Sequence, residues 1–169
     1  AGGYTMAVPT EDKMLHSRGY FLDEIAVLLS GFVTEQAIFG DVTTGASNDL
    51  ERATNMARNM VTRYGMSSLG PRTFGKKEEL IFLGKEMNEE KNYSEKTAQD
   101  IDHEVSTLIE GARKRALKLI TEKRDKLDKL ANTLIEKETI EKEEFDEIVG
   151  LTKKKEKTPI EAEKKKEKK

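Results

Sequence analysis

The residues with the most to say about chemistry lie at positions 42–50, which read VTTGASNDL. Two β-branched Thr and several small residues stand ahead of a helical stretch, and Asp49 falls in its first turn. A carboxylate there is favoured by the free amides and the dipole of a helix start. Asp49 therefore suits either a helix-stabilising role or an anionic ligand role. The rest of the inventory narrows the choices. There is no Cys, which excludes disulfides, thiolate zinc sites and cysteine nucleophiles. His16 and His103 are the only imidazoles, so a histidine-based site must use them or borrow from outside the chain. His16 reads as a surface loop residue, and His103, beside Asp102, as a residue of a solvated helix face or core edge. Met56 and Met60 stand four apart and read as helix packing.

The elements that must position these residues are helical. The chain has 169 residues, enough for one domain, or one domain plus a tail. Charged residues make up 37% and hydrophobic ones 36%, a balance that favours helices with wide solvated faces over a thick α/β core. The net charge of −2 argues against a general nucleic-acid binder. No apolar run approaches the ~18 residues that would span a membrane. The opening AGGYTMAVP has neither the basic nor the apolar region of a signal peptide and no initiator Met, so the chain reads as a piece of something longer.

In chain order, Gly3-Tyr4-Thr5-Met6-Ala7-Val8 reads as a short strand ending at Pro9. From Tyr20 the period changes: Phe21, Ile25, Leu28, Leu29, Phe32, Val33, Ala37 and Ile38 recur at helical spacing. Gly40 is placed to end that helix in the left-handed conformation. After a break at Gly45, a cap at Ser47 or Asn48 starts a second helix with Leu50, Ala53, Ala57, Met60 and Val61 on its apolar face, ending near Tyr64-Gly65. Residues 66–79 read as a loop and 80–84, LIFLG, as a strand. Ser94 caps a third helix carrying Ile101, Val105, Leu108, Ile109, Ala112, Ala116, Leu119 and Ile120. A helix over 125–136 follows. Thr139 then caps a last short helix with Phe145, Ile148 and Val149 inside, and these three helices read as a bundle. Residues 150–169 form a Lys/Glu-rich tail with too little apolar surface to order itself. The fold class is therefore mainly α, with a few short strands near the N-terminus and a C-terminal helical bundle.

The strings go further than the composition. Residues 1–149 resemble the peptidase domain of the FtsH family, the membrane-anchored AAA-plus zinc proteases. The resemblance runs in order through Gly3-Tyr4-Thr5, Pro9-Thr10-Glu11-Asp12 and IAVLLSGFVTE at 25–35. It is densest in Phe39-Gly40 and in TTGASNDLERAT at 43–54, and continues through ARNMVTRYGMS at 57–67. Leu69-Gly70-Pro71, Phe82-Leu83-Gly84, Asn92-Tyr93-Ser94 and LIEKETI at 134–140 complete it.

The resemblance implies a helical peptidase domain in which zinc is held by the two His of an HExxH helix and by the Asp of the TGASND segment. Three protein ligands leave a fourth position for water, and the Glu of HExxH takes its proton. Carried onto this sequence, Asp49 is the third zinc ligand, with Gly45 and Asn48 shaping the segment. Glu35 matches an acidic position of the family pattern and reads as a paired or buried structural residue before it reads as a ligand. Gly3, Tyr4 and Thr5 suit either an ordinary strand or an edge that pairs with extended substrate. No HExxH occurs in the sequence, so the chain is expected to hold one ligand of three and to be inactive alone.

By the same resemblance the whole protein forms a homo-hexamer and uses ATP and Mg in an AAA-plus module. It degrades unfolded or membrane proteins, binds no nucleic acid, and is anchored on the cytoplasmic face of the bacterial inner membrane by transmembrane segments outside this soluble piece. Two rival readings remain. One is a non-catalytic helical assembly or adaptor module derived from the protease fold. The other is a charged bundle binding acidic partners through the Lys-rich tail.

Overall fold

The computed structural model describes residues 15–75 and 92–151. Five α-helices and one short 3-10 turn make up its regular structure. The strands expected at 3–8 and 80–84, and the Lys-rich tail, lie outside the described residues.

Helix α1 spans Arg18–Phe39. Ser17 caps it, its hydroxyl accepting from the Tyr20 amide at 3.2 Å, and Gly40 ends it at φ 70°, where a side chain would be strained. Ile25, Leu28, Leu29 and Val33 form its buried stripe. Phe21, Phe32 and Ile38 are half-buried, whereas Ala37, expected on the apolar face, is exposed. Helix α2 spans Ser47–Thr62 and packs on α1 through buried Ala53, Ala57, Met60 and Val61. The paired alanines let the backbones approach, and Met60 fills the space beyond them with no exposed surface.

Helix α3 spans Glu95–Glu122 and begins as expected at Ser94, whose hydroxyl accepts from the Thr97 amide at 3.3 Å. Ile101, Val105, Leu108, Ala112 and Ala116 are buried along it, while Leu119 is 59% exposed. Polar contacts tie α3 to the first two helices: Arg115 pairs with Asp23 of α1, and Arg58 of α2 with Asp102 at 3.3 Å. Among the described residues no polar or charged residue is buried. Full burial of a large aliphatic side chain contributes about 1.5–3 kcal/mol, so the apolar stripes supply the cohesion.

One aromatic contact joins the start of α1 to the chain just beyond α2, and a second lies at the start of α1 itself. Phe21 stacks on Tyr64 with ring centres 5.4 Å apart, and His16 stacks on Tyr20 at 4.2 Å. Beyond α2, the chain turns at Gly65 (φ 61°), where an added Cβ would lie 3.1 Å from the Pro71 backbone.

The chain divides into two compact units after Leu119. The expected C-terminal bundle is corrected accordingly, because the body of α3 belongs with α1 and α2. In the second unit α4 (Arg124–Lys137) pairs with α5 (Lys142–Val149). Glu138 makes the turn at φ 61°, its amide donating to Leu134 O at 2.8 Å. Lys137 bonds Glu144 at 2.6 Å, and Lys126 donates to the Val149 carbonyl. Thr139 is not the cap of α5; Glu141 holds that position and makes no side-chain cap bond. Phe145, expected inside, is 43% exposed, and Ile148 is the buried residue of α5. No described helix is long and apolar enough to cross a membrane.

Candidate functional site

The segment carrying Asp49 is built in three steps. Thr43, extended at φ −116°, caps a single 3-10 turn over Thr44–Ala46, its hydroxyl accepting from the Gly45 amide at 3.1 Å. That turn runs straight into α2 at Ser47. The expected cap at Ser47 or Asn48 is thus corrected. The N-cap of α2 is Ala46, which offers no side-chain cap bond, and Gly45 lies inside the 3-10 turn instead of breaking the chain. A 3-10 turn already supplies carbonyls for the first amides, so the capping hydroxyl moves upstream to Thr43.

Asp49 sits in the first turn of α2, as its position in the string predicts, and its side chain is 49% exposed. Arg52, one turn on, pairs with it at 3.5 Å. A half-exposed i,i+3 pair of this kind is weak, contributing ~0.3–0.5 kcal/mol. The carboxylate therefore remains open to a stronger cation. Asn48 is exposed beside it.

The residue that the sequence leaves most ambiguous is resolved by its contacts. Glu35, half-buried on α1, reaches the loop with both oxygens: Oε2 accepts from the Thr43 amide at 3.0 Å and Oε1 from the Thr43 hydroxyl at 2.9 Å. This is the paired structural role. The sequence marks Thr43 only as one of two β-branched residues ahead of the helix, although a Thr two residues before a Gly is a common side-chain turn cap.

The other candidates are dispersed. His16 is exposed, with one face on Tyr20, and His103 is exposed on α3, where its carbonyl accepts from the Thr107 hydroxyl. Gly3, Tyr4 and Thr5 lie outside the described residues. Among the described residues no three His, Cys, Asp or Glu side chains come together to hold a metal. The donors in view fit one position of a zinc site, through Asp49, and not a whole one.

A second polar anchor holds the loop after α2. Glu104 of α3 accepts from the Ser68 amide at 2.9 Å and its hydroxyl at 2.7 Å, and Arg18 donates to Met66 O at 2.9 Å. The Ser68 amide, then its hydroxyl, hold the Glu104 carboxyl below the usual glutamate range. Partial burial opposes the shift, and His103 and Arg18 add to it weakly.

Comparison with known proteins covers most of the chain, this segment included. The profile of peptidase family M41 matches residues 1–148. The chain is 52% identical over 149 residues to the ATP-dependent zinc metalloprotease FtsH 1 of Thermoanaerobacter sp., covering 88% of this chain and 24% of that protein. It is 53% identical over 150 residues to the ATP-dependent zinc metalloprotease FtsH of Kosmotoga olearia, covering 88% of this chain and 23% of that protein. With the Bacillus subtilis protein of the same name the identity is 45% over 151 residues, covering 88% of this chain and 24% of that protein. The chain thus spans about a quarter of the length of the curated relatives it matches.

Proposed function

The chain belongs to peptidase family M41, and we propose that it is the C-terminal part of an ATP-dependent zinc metalloendopeptidase, with Asp49 as one of three protein ligands to zinc. The observation that supports this reading is the half-exposed Asp49 carboxylate at the start of α2, in a segment pinned from α1. Zinc bound there would supply Lewis acidity and a bound water of pKa near ~7. This chain's own part is to present one anionic oxygen from a rigid helix end. The remaining ligands and the catalytic Glu come from an HExxH helix preceding residue 1.

The rest of the activity belongs to the whole protein. Its substrates are unfolded or membrane proteins, delivered by an AAA-plus module that uses ATP and Mg. Its assembly is a homo-hexamer on the cytoplasmic face of the bacterial inner membrane. Residues 1–149 form the peptidase portion and 150–169 a charged tail. Gly3, Tyr4 and Thr5 are proposed to pair with extended substrate, and the chain by itself is inactive.

Zinc content by elemental analysis tests the reading. This chain is compared with a polypeptide extended upstream by ~40 residues of its own gene, within one domain length. One zinc per extended chain and none in this one is the expected result. Zinc in neither overturns the reading and favours a non-catalytic assembly module. In the full-length enzyme Asp49→Asn is expected to cut casein turnover by more than the ~100-fold that outer partners of a metal site typically contribute. Its unfolding midpoint should barely move, as for most surface substitutions, within ~0.5 kcal/mol. Normal casein turnover by that variant would remove Asp49 from the site.

A further inference from the structure

A ligand aspartate is useful only if its helix start is fixed, and α2 has no side-chain cap of its own. Its beginning is held from upstream. Thr43 caps the 3-10 turn through the Gly45 amide, and that turn continues without interruption into the first turn of α2. Thr43 is in turn gripped by both carboxylate oxygens of Glu35, through its amide at 3.0 Å and its hydroxyl at 2.9 Å. The Thr43 hydroxyl thereby donates to Glu35 and accepts from Gly45, leaving no freedom in its rotor. Gly45 completes the fit: an added Cβ would stand 3.2 Å from the Thr43 hydroxyl and 3.7 Å from Glu35 Oε1.

We propose that Glu35 is the positioning residue for Asp49, acting through Thr43 to set the start of α2 on the body of α1. This rests on the zinc-protease reading and deepens it. Glu35 lies near the C-terminal end of α1, two residues beyond buried Val33, so the loop is referenced to a packed helix and not to solvent. Two charge-assisted bonds to one residue fix both the direction and the depth of the loop.

The first test needs no metal and uses this chain as it is. Amide hydrogen exchange at Thr43 and Gly45 is expected to speed about tenfold in Glu35→Ala, the size expected from losing charged hydrogen bonds. Exchange at Leu29, inside α1, should not change. Glu35→Gln, which keeps an acceptor for the Thr43 amide, should restore most of the protection. Unaltered exchange at Thr43 and Gly45 in Glu35→Ala overturns the inference.

The second test uses the extended polypeptide. Glu35→Ala and Thr43→Val are each expected to weaken zinc binding by about 10-fold or more, with Glu35→Gln closer to wild type. The double variant should be no weaker than the weaker single one, because both act through one contact. The unfolding midpoint of Glu35→Ala should stay near wild type, which separates positioning from a general loss of structure. Wild-type zinc affinity in Glu35→Ala, or full additivity in the double variant, overturns the inference alone. A wild-type extended chain without zinc overturns the protease reading first, and this inference with it.

Discussion

Helices α1 and α4 both repeat apolar residues at helical spacing, yet they end in different circumstances. α1 buries Ile25, Leu28, Leu29 and Val33, all at 7% exposure or less, against neighbours that include α2. α4 has no buried residue at all, and its Leu134 and Ile135 stand 45% and 79% exposed. The contrast shows that a helical period reports a face, whereas burial needs a second face of matching shape. It also shows why the candidate site hangs where it does. Asp49 and Glu35 sit on two helices locked by a shared apolar seam, the setting in which small positional errors are suppressed.

The largest effect that can break this comparison is a cavity. Ile25→Ala removes a side chain with no exposed surface and should cost ~2–5 kcal/mol in urea unfolding. Ile135→Ala on α4 should cost under ~0.5 kcal/mol by the same measurement. Equal losses at the two positions would erase the distinction between the regions.

A smaller effect sharpens it. Glu104 accepts two hydrogen bonds from Ser68, which keep its carboxyl below the ordinary value of 4.5. A depressed folded value means that the ionised form stabilises the fold. That contribution is fully present above the unfolded value and fades as pH falls through the folded one. At neutral pH Glu104→Gln should lose ~1 kcal/mol, reduced by the solvent exposure of the pair. The gap between variant and wild type should close on acidification below the usual glutamate range. A gap that is constant with pH would show that the carboxylate charge is not what holds Ser68.

The smallest expected effect lies in the second region. Glu138 adopts φ 61°, a conformation that suits glycine. Glu138→Gly should stabilise the α4–α5 turn by ~0.5–1 kcal/mol, read as a higher urea midpoint. A destabilised variant would mean that the Glu138 side chain contributes more than its backbone strain costs.

Most of the helical frame was legible in the sequence. The spacing of Ile25 to Val33, the Gly40 terminus and the Ser94 cap all depend on neighbours within one helix, and local rules read them correctly. The misreadings share a different cause. Leu119 and Phe145 fit their periods but lack a face to bury them. The Ser47 and Thr139 caps were displaced by a 3-10 turn and by a left-handed Glu138. Asp49 was placed in its turn by local pattern, but the metal role proposed for it rests on family resemblance alone. The grip of Glu35 on Thr43 was not legible, because a helix-to-loop hydrogen bond leaves no period in the text.

The aromatic contacts of the first compact unit have an optical consequence. The sequence contains no Trp and four Tyr, at positions 4, 20, 64 and 93, so α4 and α5 carry no tyrosine. Tyr64 is held against Phe21 and Tyr20 against His16, an asymmetric setting that gives phenol rings a circular dichroism signal near 280 nm. Tyr93, edge-on to Phe74 at 6.1 Å, adds to the same band, which therefore watches the first compact unit with no label attached. The far-ultraviolet band, by contrast, sums every helix. The order in which the two signals fade on heating is therefore a direct spectroscopic readout of which region lets go first.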